Sequence, residues 1–209
     1  MAEYLTHFLV SLSAVFFVVD PIGVVPIFLA ITAGDSSEKM RRTALRACLV
    51  ACGLLLFFAM FGGVIFQVFG VSLAAFRIAG GILLLITALD MLRARPTETR
   101  TSRTEEQEGA TKEDVALVPL AMPLLAGPGA IASAMVLMAK GDTLLMSVPV
   151  LAAIVLTFVA SYFILRASHF VQRALRQSGV AILERVMGLI LAAIAVQFMA
   201  DGAKDLLGR

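Results

Sequence analysis

An aspartate, two prolines and a glycine interrupt one apolar run: Asp20-Pro21-Ile22-Gly23-Val24-Val25-Pro26, inside the stretch from Tyr4 to Thr32. That stretch is long enough to cross a bilayer, because ~20 apolar residues rising ~1.5 Å each span the hydrocarbon core. A proline in a helix interior removes a backbone donor and costs ~3 kcal/mol. A charged aspartate at mid-membrane costs at least ~2.5–3.5 kcal/mol on insertion scales. A pure anchor needs neither. Asp20 has two kinds of work open to it. It can pair a substrate ammonium, exchange a coupling proton or bind sodium, or it can be a structural group accepting hydrogen bonds from amides freed at the break.

A second interrupted stretch, Pro119-Leu120-Ala121-Met122-Pro123-Leu124-Leu125-Ala126-Gly127-Pro128-Gly129, opens the second half of the chain. Where a membrane helix breaks, freed N–H and C=O groups need partners, so such segments line a cavity or meet a ligand. The N-terminus of a half-helix offers unpaired N–H donors and partial positive charge, suited to a carboxylate. The preceding end offers carbonyls, suited to an ammonium or a small cation. A zwitterionic amino acid matches both. Gly127, Pro128 and Gly129 admit close approach to the backbone. The neighbouring Ala126, Ala130, Ala132, Ser133 and Ala134 leave room for a small ligand only. The candidate substrate-binding set is therefore Asp20, Pro21, Gly23, Pro26, Gly127, Pro128, Gly129 and Ser133. Plain helix kinks are the alternative reading of the prolines and glycines. Arg77 and Gln197 are candidates for a pathway, and Arg185 for an interfacial anchor that snorkels.

The elements that must position these residues follow from composition. Of 209 residues, 60% are hydrophobic and 15% charged, and the mean hydropathy is +0.95. That excludes a soluble domain and defines an integral membrane protein. Six spans are expected, at 4–32, 43–68, 73–92, 115–138, 144–165 and 182–199, with the polar, charged linker 93–114 between the halves 1–92 and 115–209. Asp35-Ser36-Ser37-Glu38 resembles a helix start. The basic stretch 166–179 reads as a helix extension and turn, and 201–209 as a short tail. The first span is too long for a signal peptide and lacks a basic leader region.

Twelve Lys and Arg side chains lie in connections one, three and five, against three on the opposite side. The basic connections are therefore expected in the cytoplasm and both termini outside. Arg77–Met91 and Arg185–Met199 share six of fifteen positions at an offset of 108, including the pairs Arg77/Arg185 and Gly80/Gly188. Three spans per half is an odd number, so the halves must insert in opposite senses. The expected fold is all-α, six transmembrane helices in two inverted three-helix repeats, each opening with a broken helix. Gly80, Gly81 and Gly188 are expected to allow close helix contact.

Cys48 and Cys52 lie four apart in an apolar run and read as packing residues, with no further metal ligands near them in sequence. His7 and His169 sit near span ends. The sequence has no HExxH, P-loop or Ser-His arrangement, and one intramembrane carboxylate is too few for an aspartyl dyad, so no enzyme is expected. No basic stripe points to nucleic acid.

These motifs resemble the MarC family of bacterial inner-membrane proteins. The resemblance rests on Asp20-Pro21-Ile22-Gly23 with Pro26, on Pro123 to Ile131, and on Arg185 to Gln197, and it covers essentially the whole chain. It implies six spans and an inner-membrane location. One archaeal branch of the family is known as transporters of small neutral amino acids, glycine and alanine, so the resemblance also raises an amino-acid site. The expectation is a secondary transporter of small neutral amino acids or similar small solutes, with a coupling proton or sodium ion and no other cofactor. Its partners are the lipid bilayer and the solute, and a homo-oligomer is open. The rival is a non-transporting scaffold or partner subunit. A channel ranks last, because few polar side chains are available to line it.

Overall fold

The computed structural model describes residues 2–93, 116–139 and 144–208, and among these all regular structure is helical. Most of the charged linker 93–114, and the turn at Lys140-Gly141-Asp142, lie outside the described residues. The order is α1 (Ala2–Val19), α2 (Val25–Ile31), α3 (Ser37–Phe69), α4 (Leu73–Leu92), the π-helical α5 (Ala116–Leu125), α6 (Pro128–Ala139), α7 (Leu144–Arg166) and α8 (Ser168–Leu206).

Four of these helices are long and apolar enough to cross a membrane: Ser37–Ile65 of α3, Leu73–Leu92 of α4, Ser147–Arg166 of α7 and Gly179–Leu206 of α8. Two shorter apolar helices, Tyr4–Val19 and Pro128–Ala139, each abut a break. Large apolar side chains point outward along the long helices, including Leu49, Phe57, Phe163 and Leu189. In water this would be an aggregation surface; in a bilayer it is the lipid-facing one.

Local chemistry explains the boundaries. The Ser36 hydroxyl accepts from the Lys39 amide (3.3 Å) as α3 begins, and Asp35–Lys39 and Glu38–Arg42 pair four apart over its first turns. At the other end Gly70 takes φ +64°, which a residue with a side chain rarely adopts. Ser72 then caps α4 by accepting from the Ala75 amide (3.1 Å). Helix α3 thus starts at Ser37, earlier than the expected span, because its polar first turns are capped and paired.

The stretch 166–179 departs further from expectation. It holds no separate turn beyond Ala167: α8 is one helix of 39 residues that also absorbs most of the expected tail. The run 168–206 contains no proline, and a lone interior glycine such as Gly179 costs only ~1 kcal/mol, too little to stop a helix.

The helices pack in a definite pattern. Helix α4 lies along α8, α3 along α7, and α1 meets α6; α1 also packs on α7, as α3 does on α5 and α6, and α4 on α6, as α2 and α1 do on α8. The α4–α8 seam is made of small residues. A Cβ on Gly202 would lie 2.7 Å from the Ala74 carbonyl, on Gly81 2.8 Å from that of Ala195, and on Gly188 3.0 Å from that of Ala88. Positions 74, 81 and 88 therefore face 202, 195 and 188, a step of seven along one helix against seven back along the other. The pair is antiparallel, and each layer puts one glycine against one alanine. Such layers bring backbones close enough for dispersion contacts where lipid supplies no hydrophobic drive.

Candidate functional site

Helix α1 ends where Pro21 has no N–H to continue it. The Asp20 amide closes the last turn on the Phe16 carbonyl (3.0 Å), and Asp20 itself turns to φ +49°. Aspartate is among the few residues that visit this left-handed region, because its short side chain bonds locally. Here its Oδ1 accepts from the Gly23 amide (3.1 Å), while its carbonyl accepts from the Val24 amide (3.3 Å). Asp20 is 1% exposed. Gly23 is needed beside it: a Cβ there would lie 2.2 Å from Asp20 Oδ2. Pro21 is buried and Pro26 half-buried in α2.

The second break is built differently. Prolines 119 and 123 cannot donate, so the ordinary ladder cannot run through this stretch, and α5 adopts the wider π turn. It ends with the Ala126 amide on the Ala121 carbonyl five residues back (2.9 Å). Gly127 then opens α6: its carbonyl takes the Ile131 amide (3.1 Å), and Pro128 stands at the first helical position, where a missing N–H costs nothing.

The two breaks meet. The Cβ position of Gly129 is 2.9 Å from Leu84 Cδ2 and 3.9 Å from Val18 Cγ1, so the start of α6 touches the last turn of α1 near the middle of α4. Between them lies a cavity of about 20 Å³ lined by Val18, Leu84, Thr87, Leu124 and residues 127–130. A water needs ~10–15 Å³ on this measure, so the space suits one water and no amino acid. Ser133, one turn further along α6, is 1% exposed, and its Oγ has no hydrogen-bond partner among the described residues; the same holds for the buried hydroxyls of Ser11 on α1 and Thr157 on α7.

Gly127, Pro128 and Gly129 are thus brought against the turn that ends in Asp20. Arg77 and Gln197 are elsewhere. Arg77 pairs with Asp205 across the α4–α8 seam, and Gln197 donates to Asp201 (2.7 Å). Arg77 is seven residues before Leu84, ~10 Å at ~1.5 Å per residue. Arg185 is exposed. Val18, Leu84 and Thr87 were not singled out in the sequence, because in an apolar run nothing distinguishes a lining side chain from a lipid-facing one. Cys48 is buried, Cys52 half-buried, and both thiols are free. Among the described residues no three His, Cys, Asp or Glu side chains converge as a metal site would require.

Comparison with known proteins shows the family. The model of the MarC family integral membrane proteins matches residues 5–207. The chain belongs to the MarC family. It is 39% identical to a UPF0056 membrane protein of Methanocaldococcus jannaschii over 203 residues, covering 97% of this chain and 98% of the relative. It is 34% identical to the Escherichia coli UPF0056 membrane protein YhcE over 191 residues, 91% and 89% of the two chains. The Bacillus subtilis protein YvbG is 33% identical over 211 residues, 99% and 97% of the two. No solved structure matches the chain. This MarC family chain is therefore an integral, multi-pass membrane protein, with its broken helices inside the matched region.

Proposed function

We propose that the chain is a secondary transporter of small neutral amino acids or similar small solutes, working by alternating access around the meeting point of the two breaks. The observation that carries this reading is the contact of Gly129 with Val18, two residues from the buried Asp20, at the level of Leu84. Discontinuous helices that face each other near the middle of a membrane bundle are the usual setting of a transporter site. The unpartnered hydroxyls of Ser11, Ser133 and Thr157 add donors to the same three helices, α1, α6 and α7. At about 20 Å³ the cavity is in a closed form, and α1 and α6 must part for a solute to enter.

The packing pattern supports two inverted repeats. Exchange α1/α2 with α5/α6, α3 with α7, and α4 with α8. The contact of α1 with α7 then becomes that of α5 with α3, and α4 on α6 becomes α8 on α2. The pairs α3–α7 and α4–α8 map onto themselves. The antiparallel α4–α8 seam is what oppositely inserted third helices would form. In this reading the basic connections face the cytoplasm, both termini lie outside, and in bacteria the protein resides in the inner membrane. The coupling species is a proton or sodium ion, and no enzymatic activity accompanies transport.

Purified protein in liposomes should carry labelled glycine or alanine under a proton or sodium gradient, and Asp20→Asn should abolish the flux without unfolding the protein. Absence of flux for every small neutral amino acid under both gradients overturns the reading. One observation favours the rival, a non-transporting scaffold: Asp20 already has a structural task, holding the Gly23 amide. Thermal unfolding with an amino-acid panel separates the two, since a ligand at 100 times its Kd stabilises the native state by ~2.7 kcal/mol.

A further inference from the structure

The end of the molecule carrying the first and fifth connections holds a cleft unrelated to the breaks. Its volume is about 530 Å³, and it is lined by Ser37, Glu38, Arg41, Leu165, Arg166 and His169. It sits at the polar first turn of α3, where one candidate span begins at Ser37, and at the end of α7, where another stops at Arg166, so it lies at a shared end of two candidate spans.

The charges around it are unevenly compensated. Lys39 is neutralised by Asp35, and the one carboxylate lining the cleft, Glu38, is engaged by Arg42 from the turn above. Among the described residues neither Arg41 nor Arg166 has a carboxylate partner, and both open onto the cleft with the imidazole of His169 beside them. The first turn of α3 adds the positive end of a 33-residue helix. Next to His169, Phe170 is 74% exposed, an aromatic ring held out at the depth of the headgroups. Two arginines from different helices that line one cleft at the shared end of two candidate spans offer paired cationic donors suited to a phosphate whose acyl chains lie along the apolar flank.

We propose that this cleft binds the phosphate of an anionic phospholipid headgroup, with Arg41 of α3 and Arg166 of α7 as its two arms. The site does not depend on transport at the breaks. Binding ties the entry of α3 to the junction of α7 and α8, two elements that otherwise meet the solvent at this end.

The test is native mass spectrometry of the detergent-solubilised full chain titrated with phosphatidylglycerol, phosphatidylcholine or glycerol 1-phosphate. A basic side chain near an anionic lipid contributes roughly 5-fold in affinity, so the wild type should favour phosphatidylglycerol over phosphatidylcholine by roughly 30-fold. The double variant Arg41→Gln/Arg166→Gln should lose that preference. Lys39→Gln, whose partner is outside the cleft, should keep it. Glu38→Gln should strengthen binding, and that variant keeps the proposal testable if the double variant does not fold. Equal binding of the two lipids by the wild type, or an unchanged preference in the double variant, overturns the proposal. Glycerol 1-phosphate binding as tightly as the lipid overturns the assignment to a membrane lipid.

Discussion

A methyl group placed at Gly81 measures how tightly the α4–α8 seam is closed. The Gly81 Cβ position lies 2.8 Å from the Ala195 carbonyl oxygen and 3.2 Å from the Met199 amide nitrogen, both backbone atoms that cannot swing aside. Ordinary contact begins at 3.4 Å, so Gly81→Ala must part the helices by about 0.6 Å at this layer. The layers at 74/202 and 88/188 are as tight and resist the shift. Overpacking of this kind costs ~1–3 kcal/mol. The intrinsic gain from replacing a helical glycine by alanine, ~0.5–1 kcal/mol, offsets only part of it. Gly53→Ala is the internal standard: Gly53 is also in a helix interior, but nothing lies within 4 Å of its Cβ position, so only the gain remains. Thermal or denaturant unfolding in a fixed detergent should therefore place Gly81→Ala below wild type and Gly53→Ala at or above it, with ~1–3 kcal/mol between them. If the two variants are equally stable, α4 and α8 are not in backbone contact, and the seam described above is wrong.

The first break should separate geometry from charge. Asp20→Asn keeps an oxygen for the Gly23 amide and a residue type at home at φ +49°, so it should unfold within ~0.5 kcal/mol of wild type, whereas Asp20→Ala should lose ~0.5–2 kcal/mol, as other capping side chains do. Gly23→Ala drives a methyl into the Asp20 carboxylate and should be destabilised by ~1–3 kcal/mol, measured in the same unfolding assay. Orientation is checked by labelling single cysteines with an impermeant maleimide in a Cys48→Ala/Cys52→Ala background: the exposed Ser36→Cys should react from the cytoplasmic side only and the exposed Val71→Cys from the opposite side only. The reverse pattern would refute the orientation drawn from the basic connections.

Much of this architecture was written in residue types. Proline and glycine act on the backbone directly, so Pro21, Gly23, Gly127 and Pro128 located both breaks without any knowledge of neighbours. Asp35-Ser36-Ser37-Glu38 located a helix start for the same reason, since a cap is a local bond. What could not be read was the form of the second break. Missing donors at 119 and 123 say that an α-helical ladder fails, but whether the chain unwinds or widens into a π turn depends on what packs around it, here α3. The length of α8 was hidden by polarity: the basic stretch 166–179 looks like a connection, yet beyond Ala167 it holds no proline, and its one glycine, Gly179, costs too little to stop a helix.

The helix pairing, by contrast, carried a signal that a different reading would catch. Small residues recur every seven positions at Ala74, Gly81 and Ala88, and again at Gly188, Ala195 and Gly202. Two helices with such stripes can only exploit them by facing each other, because a stripe turned to lipid gains nothing from being small. Antiparallel alignment then sets each glycine against an alanine, whereas parallel alignment of the same stripes would also set each alanine of α4 against a glycine of α8. Spacing alone therefore gives the contact but leaves its direction open. In six-span counting the direction comes from the even number of spans, two, between the two helices. Six-span counting, uncertain wherever a helix is broken, is thus tied to a measurable contact. If disulfide trapping joined Ala74→Cys to Gly202→Cys, and Ala88→Cys to Gly188→Cys, the antiparallel register would stand. Trapping of Ala74→Cys with Gly188→Cys instead would reverse it, and with it the opposite insertion of the two halves.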